Sequence, residues 1–290
     1  MGAALDGSPR AVGIELANWS WKAVRAYLRE QFDVHLGKSA CVRYLHRVGF
    51  VCKRPKKRLT KADAEKRVAF VREYLTLVAE AERTGATIFF VDEAHFRADG
   101  DLRRMWVRKG TPALVDSSSP RWGEKASYYS AVCPETGEVE AMELEGNSNA
   151  ETSAAFLRQL RAKHPGPLIV IWDNGPAHGG DALRAYLATP DLRLVRLPGY
   201  SPDYNADEAI WDWIREEVTA NTCFGTRAHV RDRIDAFFRA IRTRTEEVKT
   251  RCRTVLHAQA RALQVAPATN PPTVYGFTAL DRDDLTLAGV

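Results

Sequence analysis

The chain has 290 residues, 45% hydrophobic and 27% charged, enough to bury a full core in one main domain with an appendage and too apolar for disorder throughout. No apolar run approaches about 18 residues, and the opening MGAALDGSPRAVGIELANW carries acids where a secretion signal needs a basic end and a greasy stretch, so the expectation is a soluble chain with no membrane partner. The net charge of +5 hides an asymmetry: residues 1–60 hold 12 Lys and Arg against 4 Asp and Glu, and the remaining 230 hold 30 against 33, so a basic head suited to a polyanion precedes a mildly acidic body.

Along the head, Trp21, Val24, Leu28 and Phe32 fall at helical spacing behind Ser20, which predicts a capped amphipathic helix. After the link DVHLG, the segment KSACVRYLHRV at 38–48 puts Cys41, Leu45 and Val48 on one face and Lys38, Arg43 and Arg47 on the other, with Gly49 as its stop. Two short helices across a tight link predict a helix-turn-helix over 1–60, the second helix lying in the major groove. An ordinary helical hairpin fits the periodicity equally well. The basic face and the adjoining KRPKKR, with Lys53, Arg54, Lys56, Lys57 and Arg58, tip the balance toward DNA.

Residues 61–83 read as a linking helix with Val68, Val71, Leu75 and Val78 as its stripe, and 61–85 as a linker closed by Gly85. TIFFVD from Thr87 has the unbroken apolar character of a buried strand. ASYYSAV at 126–132 and EVEAMEL at 138–144 form a hairpin across PETG. A helix near 150–163, a strand at 167–172, a helix near 178–188, a strand at 192–197 and a helix from about 205 to 221 complete an α/β mixed sheet with flanking helices, in a body spanning 86–263. Residues 264–290, with three prolines, read as a loose tail. Cys41, Cys52, Cys133, Cys223 and Cys252 include no C-x-x-C pair and no companion histidine pair for zinc, which suits a reducing cytoplasm.

Ligands and catalysts gather at strand ends in α/β sheets. Asp92 ends IFFVD, Asp173 ends LIVIWD, and Glu208 lies on the first turn of the helix after the last strand. Hard divalent cations such as Mg²⁺ take a few carboxylates, and two of them about 4 Å apart suit phosphoryl transfer. Each acid also has a plainer reading: Asp92 as a turn cap, Asp173 as a turn residue before Asn174, and Glu208 at the third helical position beneath an Asn205 cap. Gly37-Lys38-Ser39 imitates a phosphate loop, but Phe32 stands where that loop needs glycine, so a nucleotide cofactor is not expected.

VDEAHF (91–96), WVRKG (106–110), WDNGPAH (172–178) and YSPDYNADEAIWDWI (200–214), in that order, with 34 residues between Asp173 and Glu208, resemble the DDE transposases of the mariner-type superfamily, in particular its bacterial insertion-sequence branch, the IS six-thirty group. The resemblance covers about 20–220. It implies a ribonuclease-H-like catalytic domain in which Asp92, Asp173 and Glu208 hold Mg²⁺, or Mn²⁺ in its place, as two ions. Implied partners are double-stranded DNA, both terminal inverted repeats and target, and a second copy of the chain, in a nucleoid-associated setting. The implied activity is cleavage at transposon ends and joining of the 3′-hydroxyl to target DNA. Two rivals are a catalytically silent transposase-derived DNA-binding protein and a ribonuclease-H-like nuclease or resolvase.

The chain departs from that pattern in two places. Ala206-Asp207 stands where Pro-Ile is usual, so Asp207 competes with Glu208 for the third role, and the 34-residue interval favours Glu208. Only one helix-turn-helix fits before residue 60 where the family usually carries two, so the N-terminus reads as shortened. Asn174 and His178 either contact the cut strand or shape the turn. Trp211 and Trp213 read as packing, and Arg103, Arg104, Arg108 and Lys109 either grip DNA or face solvent.

Overall fold

A computed structural model describes residues 2–52, 61–118, 124–175, 183 and 191–265. The chain divides into two compact units, 1–58 and 59–290. In the first, α1 (Gly2–Leu5) and a tight turn at Pro9–Val12 precede α2 (Trp21–Phe32) and α3 (Lys38–Arg47). The Ser20 hydroxyl caps α2 by accepting from the Ala23 amide at 3.4 Å, and Asp33, with φ +52°, ends it. Leu5, Val24, Leu28 and Cys41 are buried together. Phe32, expected on the inner face, is exposed, and Tyr27 is buried in its stead.

The second unit opens with α4 (Ala64–Thr84), capped by Asp63, whose carboxylate accepts from the Glu65 and Lys66 amides at 3.0 and 3.1 Å. Its buried stripe is Phe70, Val71, Tyr74 and Leu77 with Arg67. Of the expected stripe only Val71 is fully buried, because the larger aromatic side chains take the sheet surface and leave Val68, Leu75 and Val78 at its margin. Five strands follow, β1 (Thr87–Arg97), β2 (Lys125–Cys133), β3 (Glu138–Leu144), β4 (Leu168–Trp172) and β5 (Leu192–Arg196), in the order β3-β2-β1-β4-β5. The hairpin side is antiparallel, while β1, β4 and β5 run parallel.

Both sheet faces are covered, so successive residues alternate between two cores. Phe89, Val91, Tyr129, Val170 and Trp172 pack against α5 (Ala150–Lys163). Phe90, Ala94, Phe96, Tyr128 and Ile171 face α4 and a C-terminal helical layer. That layer comprises α6 (Glu208–Ile214), a widened turn at Arg215–Thr219, α7 (Arg227–Ile241), α8 (Thr245–Arg251) and α9 (Val255–Val265).

Two expectations need correction. β1 does not stop at Asp92 but continues five residues to Arg97, because β2 pairs with it as far as Arg97 opposite Lys125, whereas its pairing with the shorter β4 ends at Phe90 opposite Ile171. The helix expected from about 205 is in fact a tight turn at Pro202–Tyr204, then α6 from Glu208. The helix expected near 178–188 lies outside the described residues apart from Leu183, as does the tail beyond Val265. Among the described residues no helix is long and apolar enough to cross a membrane.

The half-buried His257 on α9 packs its ring against Tyr74 and Phe90, with centroids 5.5 and 5.7 Å away. Its Nδ1 accepts from the Thr254 amide at 3.2 Å. Burial, reinforced by Arg253 and Arg261, lowers its pKa to about 4. A histidine in the unfolded chain takes up its proton near pH 6.5 while this one stays neutral, so the stability tied to it is complete above 6.5 and is lost as pH falls toward 4. Urea unfolding at pH 7 and pH 4 is expected to show wild type losing up to about 3 kcal/mol more than His257→Phe; equal losses would mean that the folded protein accommodates the protonated ring.

Candidate active site

Strand parity brings the first two acids together. Phe90 and Ile171 are the last paired residues of β1 and β4, and two residues further on, therefore on the same face, stand Asp92 and Asp173. Asp92 lies on the face of α6, and its Oδ2 accepts from the Trp211 indole at 3.2 Å. Asp173 follows the last residue of β4; its Oδ1 accepts from the Gly175 amide at 2.9 Å, and its backbone carbonyl accepts from Arg196 at 2.7 Å. Glu208 is the first residue of α6.

Their charges act on one another. Burial, then the like charges of Glu208, Glu93 and Asp173, push the Asp92 carboxyl well above the usual range. Glu208 is raised by burial and by Asp212 and Asp173, with Arg215 opposing. Among the described residues, no three ligating side chains are gathered closely enough to hold one ion between them. A set made of carboxylates, with no sulfur and no histidine pair, fits a hard cation of the Mg²⁺ or Mn²⁺ kind and not zinc.

The segment before α6 is firmly held. Arg67, buried in α4, gives two hydrogen bonds to Asp203, of 2.8 and 2.6 Å, and lies 3.9 Å over the Tyr204 ring. Asn205 donates to the Val91 carbonyl at 3.1 Å and accepts from the Asp207 amide at 3.2 Å. The capping box of Asn205 and Glu208 does not form: the Asn205 amide, which Glu208 would have to receive, donates to the Pro202 carbonyl at 2.9 Å. A cavity of about 180 Å³ opens beside Glu208, lined among others by Asp203, Asn205, Asp212, Arg251 and Arg253.

The sequence reading missed Ser130, weighed Asp207 only as a rival to Glu208, and gave Trp211 a packing role alone. Asp207 is fully buried, with Oδ1 accepting from Ser130 at 2.9 Å and burial and Asp92 raising its carboxyl well above the usual range. Ser130 stands opposite Asp92 in the strand register. Trp211, read as packing, is indeed buried but also reaches Asp92. A buried-strand serine and an acid among apolar neighbours were the available signals. Asn174 donates to the Leu197 carbonyl at 2.6 Å, which ties the turn after β4 to β5. His178 lies outside the described residues.

In the first unit Lys38, Arg43 and Arg47 are exposed on α3. Lys22 and Arg25 join Lys38 around Trp21, at 5.9, 5.2 and 5.9 Å from its ring, so α2 adds cations that the sequence reading left out. Lys53, Arg54, Lys56, Lys57 and Arg58 lie outside the described residues. In the second unit Arg103, Arg104, Arg108 and Lys109 are exposed between β1 and β2, beside a wholly exposed Trp106.

The base of that connection is fixed. Asp99 accepts from Ser117 and Ser118, and a Cβ on Gly100 would come within 1.8 Å of the Thr219 carbonyl oxygen.

Comparison with known proteins agrees with this architecture. The winged helix-turn helix profile matches residues 17–74, reaching into α4. An uncharacterized 39 kDa protein of insertion element IS630 from Shigella sonnei is 24% identical over 222 residues, which is 74% of this chain; the chain spans 62% of that relative's length. A Mos1 transposase paired-end complex with the left transposon end superposes with a TM-score of 0.62 at 19% identity, over 90% of this chain and 78% of that one. A Mos1 paired-end complex with Mg gives 0.58 at 19%, over 81% and 77%. These likenesses carry the ribonuclease-H-like fold of the mixed sheet. The DDE superfamily endonuclease profile matches residues 87–231, from the first strand of the sheet into α7 and including Asp92, Asp173 and Glu208, and the chain belongs to that superfamily.

Proposed function

We propose that this protein is a transposase that binds transposon ends in double-stranded DNA, cuts them in a metal-dependent reaction and joins the 3′-hydroxyl ends to target DNA, working as a dimer at the nucleoid. The observation that carries the reading is the placement of Asp92 and Asp173 on one face of neighbouring strands, with Glu208 close enough for the three charges to act on one another. The IS630 relative and the Mos1 complex with Mg support it.

Asp92, Asp173 and Glu208 would hold two Mg²⁺ ions, with Mn²⁺ able to substitute. Bound there, they supply Lewis acidity for the attacking and leaving oxygens of an in-line displacement. The chain's own contribution is positional. Trp211 fixes one oxygen of Asp92, the Gly175 amide fixes one of Asp173, and Arg215 offsets the charge around Glu208. The exposed cations of the head bind phosphates and set the register of the DNA.

The test incubates the protein with Mg²⁺ and DNA carrying its own flanking ends, then sequences the products. Ends cut and joined to a second DNA are expected. Cutting without joining would make it a nuclease or resolvase, and binding without cutting a silent DNA-binding relative.

A further inference from the structure

We infer that Asp207 is a positioning residue for the reaction: its bond to Ser130 locks the start of α6 to β2, so that Glu208 is presented to Asp92. This rests on the ion site proposed above. Asp207 occupies the residue before α6, where an aspartate ordinarily caps the helix with its side chain. Here it makes no such bond. Its Oδ1 instead accepts from Ser130 at 2.9 Å, a side chain fully buried in the middle of β2 and paired across the sheet with Asp92.

The neighbouring bonds point to the same place. Asn205 reaches the Val91 carbonyl, one residue from Asp92, and holds the Asp207 amide. Trp211 donates to Asp92 itself. Residues 205, 207 and 211 thus grip both strands around a single carboxylate, and Glu208 sits inside that grip. Burying an aspartate in an apolar layer is unfavourable, the more so because Asp207 Oδ2 has no hydrogen-bond partner there, and an apolar side chain would serve packing without that cost. The directional bonds are what an apolar residue could not supply. They fix the separation of Glu208 from Asp92, as outer partners do for ligating carboxylates.

The experiment uses the full chain as wild type, Ser130→Ala, Asp207→Asn, Asp207→Leu and Asp92→Asn. Mn²⁺ binding without DNA is read by electron paramagnetic resonance, alongside Tm, end-DNA affinity and the Mn²⁺ dependence of nicking. Asp207→Asn keeps an acceptor for Ser130 and is expected to stay within about threefold of wild type. Ser130→Ala and Asp207→Leu are expected to raise the Mn²⁺ half-saturation roughly 10- to 100-fold, with DNA affinity unchanged and nicking rescued by excess Mn²⁺. If Asp207→Leu does not fold, Ser130→Ala, which removes a single oxygen, carries the test. Wild-type Mn²⁺ affinity in Ser130→Ala would overturn the inference. So would loss of Mn²⁺ in Asp207→Asn as complete as in Asp92→Asn, which would make Asp207 a ligand in its own right. Mn²⁺ binding that survives Asp92→Asn in an otherwise normal protein would instead remove the ion site, a distinct failure because every variant would then bind alike.

Discussion

Asp173→Asn is expected to bind end DNA as wild type does and to lose Mg²⁺- or Mn²⁺-dependent nicking by about 10³-fold, equivalent to about 4 kcal/mol of transition-state stabilisation. The substitution separates shape from charge. Asp173 Oδ1 accepts from the Gly175 amide, and its backbone carbonyl accepts from Arg196; an asparagine oxygen can take the first bond, and the second does not involve the side chain. The turn after β4 is therefore retained. What disappears is one of the negative charges that act on Asp92 and Glu208, and with it a hard ligand for a divalent ion. Removing an anion near a polyanion gives no reason for weaker DNA binding. Nicking of a labelled end oligonucleotide and a binding titration at the same salt check the two halves. Undiminished cleavage would take Asp173 out of the mechanism.

Which parts of this arrangement were legible in the sequence depends on whether a local pattern or a tertiary bond fixes them. Runs such as IFFV and LIVIW announce strands covered on both faces, and an acid directly after such a run is costly enough to attract notice. That sufficed to single out Asp92 and Asp173. The length of β1 was not legible, because Ala94-His95-Phe96-Arg97 alternates like an edge strand, and only its pairing with Lys125–Tyr128 keeps it in the sheet. Asn205 and Glu208 matched a capping box by spacing. The box fails because the Asn205 amide donates to the Pro202 carbonyl, while its side chain also reaches the Val91 carbonyl, 114 residues away in sequence, a partner that no local pattern encodes.

The division of roles between Asp207 and Glu208 was hidden for the same reason. Adjacent acids look alike in sequence, and the difference between a half-buried Glu208 and a fully buried Asp207 arises from how α6 meets the sheet. The C-terminal layer was a different kind of miss. Val230, Ile234, Phe237 and Ile241 stand at helical spacing, a readable signal, whereas the need for α7 to α9 follows only from the exposed sheet face that they cover.

The head is expected to supply much of the affinity, and in a manner that salt reveals. Lys38, Arg43 and Arg47 are exposed on α3, and α2 adds Lys22 and Arg25 around Trp21. If the three α3 cations each neutralise a phosphate, replacing them together with alanine reduces the slope of log affinity against log salt by about 3 and weakens binding at moderate salt by one to three orders of magnitude, on the order expected for lost counterion release. Their polar exposure makes the change cheap for the fold, since Leu5, Val24, Leu28 and Cys41 remain as the core of the unit. A basic surface that merely solvates the helix predicts no change in slope. Contacts to base edges predict something different again, a loss confined to end sequences with non-specific binding preserved. Titrations on end and random DNA at several salt concentrations distinguish the three. An unchanged slope would move the DNA contact off α3, leaving the exposed Arg103, Arg104, Arg108 and Lys109 beside Trp106 as the next surface to test.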